Sequence, residues 1–391
     1  MKKLGKNTFI VFFMLILFNS HSCSSKNILV LTFSCLNPFH SFIWDDITGL
    51  IDRKHNIHII AQEKALQFYT VDPKTLSKLM PANYSKYSLE SKCLYSNIQE
   101  LFKGKHFDII YAAFGQFAEK AIEIRNRYYP NAKIAVAYQG ADISLLLKQP
   151  VNTQLKVFNN VDLFLPVSQQ FYNRLISAGC KPEKTKVYYT GIDETLFTPK
   201  NQWNLKSNPK LLSIGRLAEE KGFEYSIQAF AEIANKYPKA RYYIIGDGRL
   251  RGILTQLIRN LKLSKKVTLL GAKKHHELSK WLNKTDIFVM PSITGSKGQE
   301  EGIPNALKEA MFTALPCIGS MHTGIPEIIK NNQTGLLVRE KNVPDLVKAI
   351  DTLLSNANTR ERLGKAGYNL ISQNFKRKTQ DNFLEKELTK L

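Results

Sequence analysis

Short β-branched apolar runs alternate with helix-length segments along this chain, and the alternation occurs twice. Strands that alternate with helices form right-handed βαβ units, which build a parallel sheet with helices on both faces. Residues 198–209, which contain Pro and Asn, separate the two series and are predicted to be a linker. The candidate strands are residues 28–32, 57–61, 108–112, 133–137 and 163–167 in the first series, and 211–214, 241–245, 267–270, 287–290 and 316–320 in the second.

The length supports two domains, because 391 residues exceed what one hydrophobic core usually serves. We therefore predict an α/β fold in which two doubly wound, Rossmann-like domains face each other across a cleft. Ligands of such sheets bind beyond the carboxyl ends of the strands, so the cleft is the expected site. The predicted parts are residues 1–25, a hydrophobic segment; 26–200, the first domain; 201–375, the second domain; and 376–391, a C-terminal helix.

The charge of the chain narrows the classes of partner. The formal net charge is +22, of which residues 201–391 carry +13. Such a surplus suits nucleic acid, an anionic membrane surface or phosphorylated small molecules. Apolar residues make up 43% and charged residues 23%, which excludes disordered and fibrous classes. The five cysteines are odd in number and form no Cys-x-x-Cys pair, which argues against a disulfide framework and a zinc knuckle.

The first 25 residues have a signal-like pattern. Lys2, Lys3 and Lys6 precede an apolar run at residues 9–18, which small and polar residues follow. The run is short for a membrane-spanning helix, which needs about 20 apolar residues. Three interpretations stay open: a signal peptide, a segment that lies in the membrane interface with its lysines at anionic headgroups, and an extended N-terminus with no role in export.

Two cations follow the candidate strand at 211–214. Arg216 and Lys221 lie five residues apart beside glycines that let the backbone come close, an arrangement suited to gripping a phosphate or diphosphate. The alternative is a solvated loop in which Glu219 and Glu220 cancel the charge.

A glycine pair follows the candidate strand at 241–245. Gly246-Asp247-Gly248 resembles part of a dinucleotide fingerprint, but Arg251 stands where the third glycine would be. We predict a tight strand-to-helix turn near the ligand.

The segment from Glu301 to Met311 is the most informative. Pro304 is placed to open a helix, which would turn the amides of residues 302–305 outward as an anion-receptive N-terminus. Glu301 and Glu309 would then lie about 12 Å apart along a helix that rises roughly 1.5 Å per residue. That is too far for shared acid–base work on one bond, since glycosidase carboxylates lie about 5–9.5 Å apart. It suits contacts with the hydroxyls at two ends of one ligand, while the alternative is an ordinary acidic helix start.

Other catalytic signatures are missing from the sequence. There is no Gly-x-Ser-x-Gly elbow, Walker lysine loop or His-Glu-x-x-His motif, and the adjacent His275 and His276 are expected at the surface. Without an Asp-x-Asp pair, a carboxylate-held metal for a diphosphate is not indicated.

Together these motifs resemble glycosyltransferase family 4, which consists of retaining enzymes of GT-B fold that transfer a sugar from a nucleotide sugar. The resemblance extends from Asn27 to about Phe375. Glu300-Glu301-Gly302-Ile303-Pro304 is similar to the branch that includes colanic acid and other surface-polysaccharide transferases. Further matching segments are residues 191–193, Phe197, and residues 267–271, 286–292, 323–327 and 335–338.

The resemblance implies roles for individual residues. Arg216 and Lys221 would bind the donor diphosphate and stabilise it as it departs, Glu309 would bind the ribose, and Glu301 the transferred sugar. Donor contacts are also implied for Gly246, Ala272, Lys273, Gly302, Ile303, Pro304 and Asn305. Catalysis would need no metal and no cofactor beyond the nucleotide-diphosphate sugar itself.

The first domain departs from the family pattern. Gln139-Gly140-Ala141-Asp142 stands where many relatives have a His before Gly-x-Asp, and Ala113 replaces another His. Gln139 and Gly140 are predicted on the acceptor side, where Gln139 can hydrogen-bond a sugar hydroxyl but cannot carry a proton. Asp142 is predicted to lie near the sugar and to take part in catalysis, with helix capping as the alternative.

We therefore expect a retaining glycosyltransferase that moves a sugar to a hydroxyl of a cell-surface polysaccharide or glycolipid precursor, with a saccharide or lipid-linked acceptor. The alternative is a sugar-nucleotide-binding pseudoenzyme. No nucleic acid is expected as a partner, because no recognition motif accompanies the positive charge. Nucleotide sugars are expected in the cytoplasm, so the enzyme is predicted to lie peripherally on the cytoplasmic face of the inner membrane, unless residues 1–25 are a signal peptide.

Overall fold

A computed structural model describes residues 25–32, 41–61, 104, 106–205 and 207–391. The apolar run at residues 9–18 and the cysteines at 23, 35 and 93 lie outside the described residues. Within them, Cys180 and Cys317 are free, buried thiols. None of the described helices combines the length and apolar character that crossing a membrane requires.

The first domain is a parallel sheet that has, in the described part of the chain, five strands in the order β2-β1-β3-β4-β5. Val30 of β1 pairs with Ile59 of β2 on one side and Tyr111 of β3 on the other, and all three are buried. The strands are β1 (Asn27–Thr32), β2 (Asn56–Ala61), β3 (Ile109–Ala112), β4 (Lys133–Tyr138) and β5 (Leu163–Pro166). The helices are α1 (Ser41–Asp52), α2 (Ala118–Tyr128), α3 (Ala141–Leu147), α4 (Val151–Asn160) and α5 (Gln169–Ser177).

The second domain is a parallel sheet of six strands in the order β11-β10-β9-β6-β7-β8. Its central strands are continuous apolar runs, as expected of strands covered on both faces. The strands are β6 (Lys210–Ile214), β7 (Arg241–Ile245), β8 (Val267–Leu269), β9 (Ile287–Met290), β10 (Cys317–Ser320) and β11 (Leu336–Val338). The helices are α6 (Phe223–Ile233), α7 (Arg251–Asn260), α8 (His275–Lys284), α9 (Asn305–Phe312), α10 (Ile325–Ile328), α11 (Val343–Ser355) and α12 (Ala357–Asn374).

Local sequence explains where the helices begin. The Ser168 hydroxyl accepts a hydrogen bond from the backbone of Phe171 and caps α5, and Asn342 and Asn356 cap α11 and α12 in the same way. Each cap satisfies a backbone N–H group that has no partner within the helix.

The helix α13 (Arg377–Thr389) crosses back from the second domain to the first. Leu384 and Leu388 are buried in the hydrophobic core of the first sheet. Arg53 of α1 forms ion pairs with Asp381 and Glu385 at 3.6 and 3.0 Å. This helix therefore belongs to the core of the first domain although it follows the second along the chain.

These sheets confirm the predicted fold class of two Rossmann-like domains. All ten predicted strands are present, and their bounds are correct to within one residue at either end. The prediction missed β11, which is only three residues long.

Candidate active site

A cleft of about 710 Å³ lies where the carboxyl ends of the two sheets face each other. Loops that follow parallel strands meet at this edge, which is where such sheets bind ligands. From the first domain it is lined by Phe114, Gln116, Gln139, Gly140, Ala141, Asp142, Val167 and Thr190. From the second domain it is lined by residues 214–218, 220, 221, 248, 249, 275, 278, 299–306 and 309.

The two glycine-containing loops of the second domain pack directly against each other. Gly246 has a φ of +146°, and a Cβ there would lie 1.8 Å from the carbonyl oxygen of Gly215. Leu217 N donates to Asp247 O at 2.9 Å. The predicted tight turn is present, and packing of the loops explains its glycines. Of this turn, Gly248 lines the cleft and Gly246 does not, so donor contact by Gly246 stays a prediction.

Lys221 and Glu301 form a partly buried ion pair in the cleft, through Nζ and Oε1. The Ser292 hydroxyl donates to the other carboxylate oxygen at 2.7 Å. Burial raises the pKa of Glu301, but Lys221 and Ser292 outweigh it and hold the pKa below its ordinary value. A Cβ on Gly215 would lie 3.1 Å from Lys221 Cε, so the glycine leaves room for the lysine chain. Glu301 is therefore ionised and Lys221 is oriented towards it.

Arg216 remains more exposed than Lys221. Its side chain is 56% exposed, and Nη2 lies 2.8 Å from Oε1 of the buried Glu220. A guanidinium has five N–H donors, so one ion pair leaves most of them available to a ligand in the cleft. Glu219 accepts instead from the backbone and hydroxyl of Ser296, both at 2.7 Å, so only one of the two acidic residues pairs with Arg216.

Glu309 pairs with a different cation. Its carboxylate is buried and lies 2.7 Å from Nε2 of His275. Burial lowers the pKa of His275, but Glu309 and two further carboxylates together outweigh it and the pKa rises to about 9. His276 is exposed, as predicted, whereas the His275 side chain is only 25% exposed and lines the cleft, so the surface prediction is wrong for His275. His275 begins α8, and the loop after β8 brings it to the same edge of the sheet as the other cleft residues. Its position shortly after a predicted strand was the signal in the sequence that could have indicated this.

The geometry of the Glu301–Glu309 segment differs from the prediction in one respect. Pro304 directly precedes a helix, as predicted, but Glu301 lies before the helix and forms an antiparallel bridge with Gly140 of the first domain. A separation along one helix axis is therefore the wrong description. A Cβ on Gly302 would lie 2.3 Å from Val167 Cγ2, so the glycine allows this segment to pass close to the first domain.

Asp142 organises the loop around it. Its buried carboxylate accepts hydrogen bonds from the backbone of Gly115, Gln139, Gly140 and Ile143 at 2.8–3.1 Å. Burial raises its pKa above the ordinary value although these four N–H groups act in the opposite direction. Both oxygens are occupied, which fits the capping alternative better than direct contact with a sugar.

The side chain of Gln139 is placed differently from that of Asp142. Gln139 lines the cleft, and its buried Nε2 has no hydrogen-bond partner among the described residues. An amide in that state has a donor to offer to a ligand oxygen. The acceptor-side prediction for Gln139 thus has a chemical basis and stays a prediction.

Contacts that the sequence did not reveal join the two domains beside the cleft. Glu300 Oε2 accepts from Ser144 at 2.5 Å and from Arg174 at 2.6 Å. Glu327 of α10 accepts from Tyr189 OH at 3.0 Å. Such pairings cannot be read from one sequence, because nothing in it shows which side chains of separate domains meet.

Two predicted donor residues lie apart from the cleft. Ala272 and Lys273 are not among its lining residues, so their placement near a base stays a prediction. Across the described residues, no three His, Cys, Asp or Glu side chains are grouped so that they could hold a metal ion.

Comparison with known proteins gives consistent results. Residues 197–370 match the family model for glycosyl transferases group 1. A protein named putative colanic acid biosynthesis glycosyltransferase WcaL, from Salmonella typhimurium, is 31% identical over 78% of this chain and 85% of its own length. The amylovoran biosynthesis glycosyltransferase AmsK of Erwinia amylovora is 35% identical over 60% of this chain and 58% of its own length.

Solved structures share the fold. Anabaena HepE, crystallised with UDP-glucose, superposes with a TM-score of 0.75 at 19% identity and covers 94% of this chain and 100% of its own. Sucrose-phosphate synthase from Thermosynechococcus elongatus superposes with a TM-score of 0.74 at 17% identity, over 93% of this chain and 99% of its own. At these identities the likeness concerns the arrangement of the two domains.

Proposed function

This chain belongs to the group 1 glycosyl transferases and is a glycosyltransferase of GT-B fold, and we propose that it is a retaining enzyme of family 4. Its donor would be a nucleotide-diphosphate sugar, and its acceptor a hydroxyl of a surface-polysaccharide or glycolipid precursor. The names of the relatives, which refer to colanic acid and amylovoran, support the acceptor class. The UDP-glucose bound to Anabaena HepE supports the donor class.

One observation carries the proposal: two glutamates in one cleft, Glu309 buried and Glu301 partly buried, are paired with different cations. Glu301 pairs with Lys221 and Glu309 with His275, while Arg216 remains open between the domains. A carboxylate held beside a cation is ionised and fixed in direction, which suits it to accept hydrogen bonds from sugar hydroxyls. Two such carboxylates and an arginine that line the same cleft match a ligand that has a sugar, a diphosphate and a ribose.

In the proposed reaction, Arg216 and Lys221 stabilise the negative charge that develops on the departing diphosphate. Donors fixed before the reaction begins are effective because they need no reorganisation in the transition state. Glu301 holds the transferred sugar, and the acceptor hydroxyl attacks on the face that the diphosphate leaves. The departing phosphate oxygen accepts the proton of that hydroxyl, since Gln139 cannot carry a proton and both oxygens of Asp142 are occupied.

Two substitutions test the proposed orientation of the donor. Glu309→Gln should weaken binding of both the free nucleotide and the nucleotide sugar. Glu301→Gln should reduce transfer while the affinity for the free nucleotide stays nearly unchanged. Glu232→Gln, at an exposed position on α6, is the control. Equal losses of free-nucleotide affinity in the two cleft variants would contradict this orientation.

The donor itself can be identified by a thermal-shift panel of UDP-, GDP- and dTDP-sugars. A ligand present at 100 times its Kd should stabilise the protein by about 2.7 kcal/mol. The pseudoenzyme alternative rests on Gln139 and Ala113, which replace histidines of the family pattern, and it predicts a nucleotide sugar that binds without turnover. Measured release of nucleoside diphosphate from the bound donor would exclude it.

We also propose that the enzyme lies peripherally on the cytoplasmic face of the inner membrane. The lysines and apolar run before residue 25 and the net charge of +22 support this placement. The first domain adds three exposed apolar side chains on neighbouring helices, Leu145 of α3 and Val151 and Leu155 of α4. Between residues 143 and 161 there is no acidic residue to repel an anionic surface.

A further inference from the structure

His322 is a fully buried histidine beside the cleft, and the proposed transfer gives it no part. It lies two residues after β10 and makes two side-chain contacts. Nδ1 lies 2.8 Å from Oε1 of Glu340, and Nε2 lies 3.2 Å from the backbone nitrogen of Glu301. The ring therefore connects a carboxylate of the second domain to the backbone of a glutamate in the cleft.

These contacts assign a role to each ring nitrogen. The backbone N–H of Glu301 is only a donor, so Nε2 accepts from it. Nδ1 then donates to Glu340, whose other oxygen accepts from Thr294 N at 2.8 Å. Both ring nitrogens of His322 are thus used, one as an acceptor and one as a donor.

Thr323 contacts the backbone of Glu301 on its carbonyl side. Its hydroxyl donates to the carbonyl oxygen of Glu301 and lies 3.1 Å from that of Gly302. Its φ is +39°, a left-handed conformation that is rare and strained for a β-branched residue. Strain of this kind persists only where the surroundings impose it, and here it aims the hydroxyl at the Glu301 carbonyl.

We propose that His322 and Thr323 together are positioning residues that fix the peptide of Glu301 and so direct its carboxylate at the transferred sugar. Lys221 and Ser292 hold the carboxylate itself, while the 322–323 pair holds the backbone that carries it. Glu340 acts one step further away by selecting the tautomer of His322. The inference rests on the proposed contact between Glu301 and the sugar.

Two substitutions of His322 separate its two hydrogen bonds. The amide of Asn lies near the position of Nδ1, so His322→Asn keeps the donor to Glu340 and loses the acceptor for Glu301. The amide oxygen of Gln reaches the position of Nε2, so His322→Gln keeps the acceptor for Glu301 and loses the donor to Glu340. His276→Asn, at an exposed position, is the matched control.

The readouts are kcat for the release of nucleoside diphosphate, affinity for free UDP and the thermal midpoint of unfolding. The donor is the nucleotide sugar with the largest shift in the panel of UDP-, GDP- and dTDP-sugars. We expect His322→Asn to lower kcat at least tenfold while the affinity for UDP changes less than twofold. We expect His322→Gln to keep kcat within about threefold of the wild type. Thr323→Val, which keeps the β-branched shape and removes the hydroxyl, should behave like His322→Asn.

Other results would overturn the inference. If His322→Asn and His322→Gln lower kcat equally, His322 is only a packing residue. The same conclusion follows if both variants lower the affinity for UDP together with the thermal midpoint. Glu301→Gln is measured in parallel to separate this inference from the proposed function. Unchanged turnover in Glu301→Gln would refute the proposed function itself. If Glu301→Gln loses turnover while His322→Asn keeps normal turnover, only the positioning role is refuted.

Discussion

The ion pair between His275 and Glu309 should make the stability of the protein depend on pH in the alkaline range. The pKa of His275 is about 9 instead of 6.5, because attraction to Glu309, with smaller contributions from Asp45 and Asp193, outweighs burial. That difference corresponds to roughly 3 kcal/mol at about 1.36 kcal/mol per pKa unit. The perturbation that exposes this coupling is Glu309→Gln.

The direction of the pH dependence follows from the raised pKa. The folded protein binds the His275 proton more tightly than the unfolded chain does, so the stabilisation is complete below pH 6.5 and is lost as the pH rises through about 9. Burial lowers the pKa of the neighbouring Lys308 to about 7, so the measurement starts at pH 7.5, above that titration. Between pH 7.5 and 10 the wild type should lose about 2 kcal/mol of unfolding free energy relative to the Gln variant.

Two assays measure this coupling. Urea unfolding at pH 7.5 and 10 gives the difference in unfolding free energy, and an NMR titration of the His275 ring gives its pKa directly. In Glu309→Gln the pKa of His275 should fall by about two units or more, because burial still lowers it while the nearest carboxylate that raised it is gone. Glu361→Gln, which breaks an exposed pair with Lys365, is the control. A His275 that titrates at the same pH in the wild type and in Glu309→Gln would refute this reasoning.

Four further outcomes are expected. Arg216→Ala should weaken nucleoside-diphosphate binding at least tenfold in calorimetry, since a charge-assisted hydrogen bond contributes about 1.5–3 kcal/mol; unchanged affinity in a folded variant would exclude the assignment. Transfer should survive EDTA, and a loss that Mn²⁺ restores would show metal dependence. Deletion of residues 1–25 should move the protein from the membrane pellet to the soluble fraction with donor binding intact, whereas export with cleavage near Ser22 would identify a signal peptide. Gly246→Ala should lower the unfolding free energy by about 2 kcal/mol or more, while Gly252→Ala, where a Cβ has open space, should not; similar effects at both sites would contradict the packing argument.

The sequence predicts the sheets well because their strands are buried on both faces and must be continuous apolar runs. It predicts β11 poorly, because three residues are too few to show a pattern. It predicts the helix at 376–391 but not where it docks. Leu384 and Leu388 pack into a core whose strands lie more than 200 residues earlier in the chain, and apolar spacing does not identify a distant partner.

The candidate site was predictable to the extent that its residues follow strands. Arg216, Lys221 and Glu301 all line the cleft, because loops at the carboxyl ends of neighbouring strands converge. The partners of these residues were not predictable. The pairing of His275 with Glu309 depends on how a helix is turned relative to the cleft, and that is decided by packing.

The crossing of α13 has a consequence for how this protein is made. Residues 377–389 leave the ribosome after the whole second domain, yet Leu384 and Leu388 complete the core of the first domain. The first domain must therefore wait, with part of its apolar surface uncovered, until the second has been synthesised. During that interval it presents an exposed apolar surface that a chaperone can bind, and a gene fragment that encodes only residues 26–200 should yield a chain that aggregates.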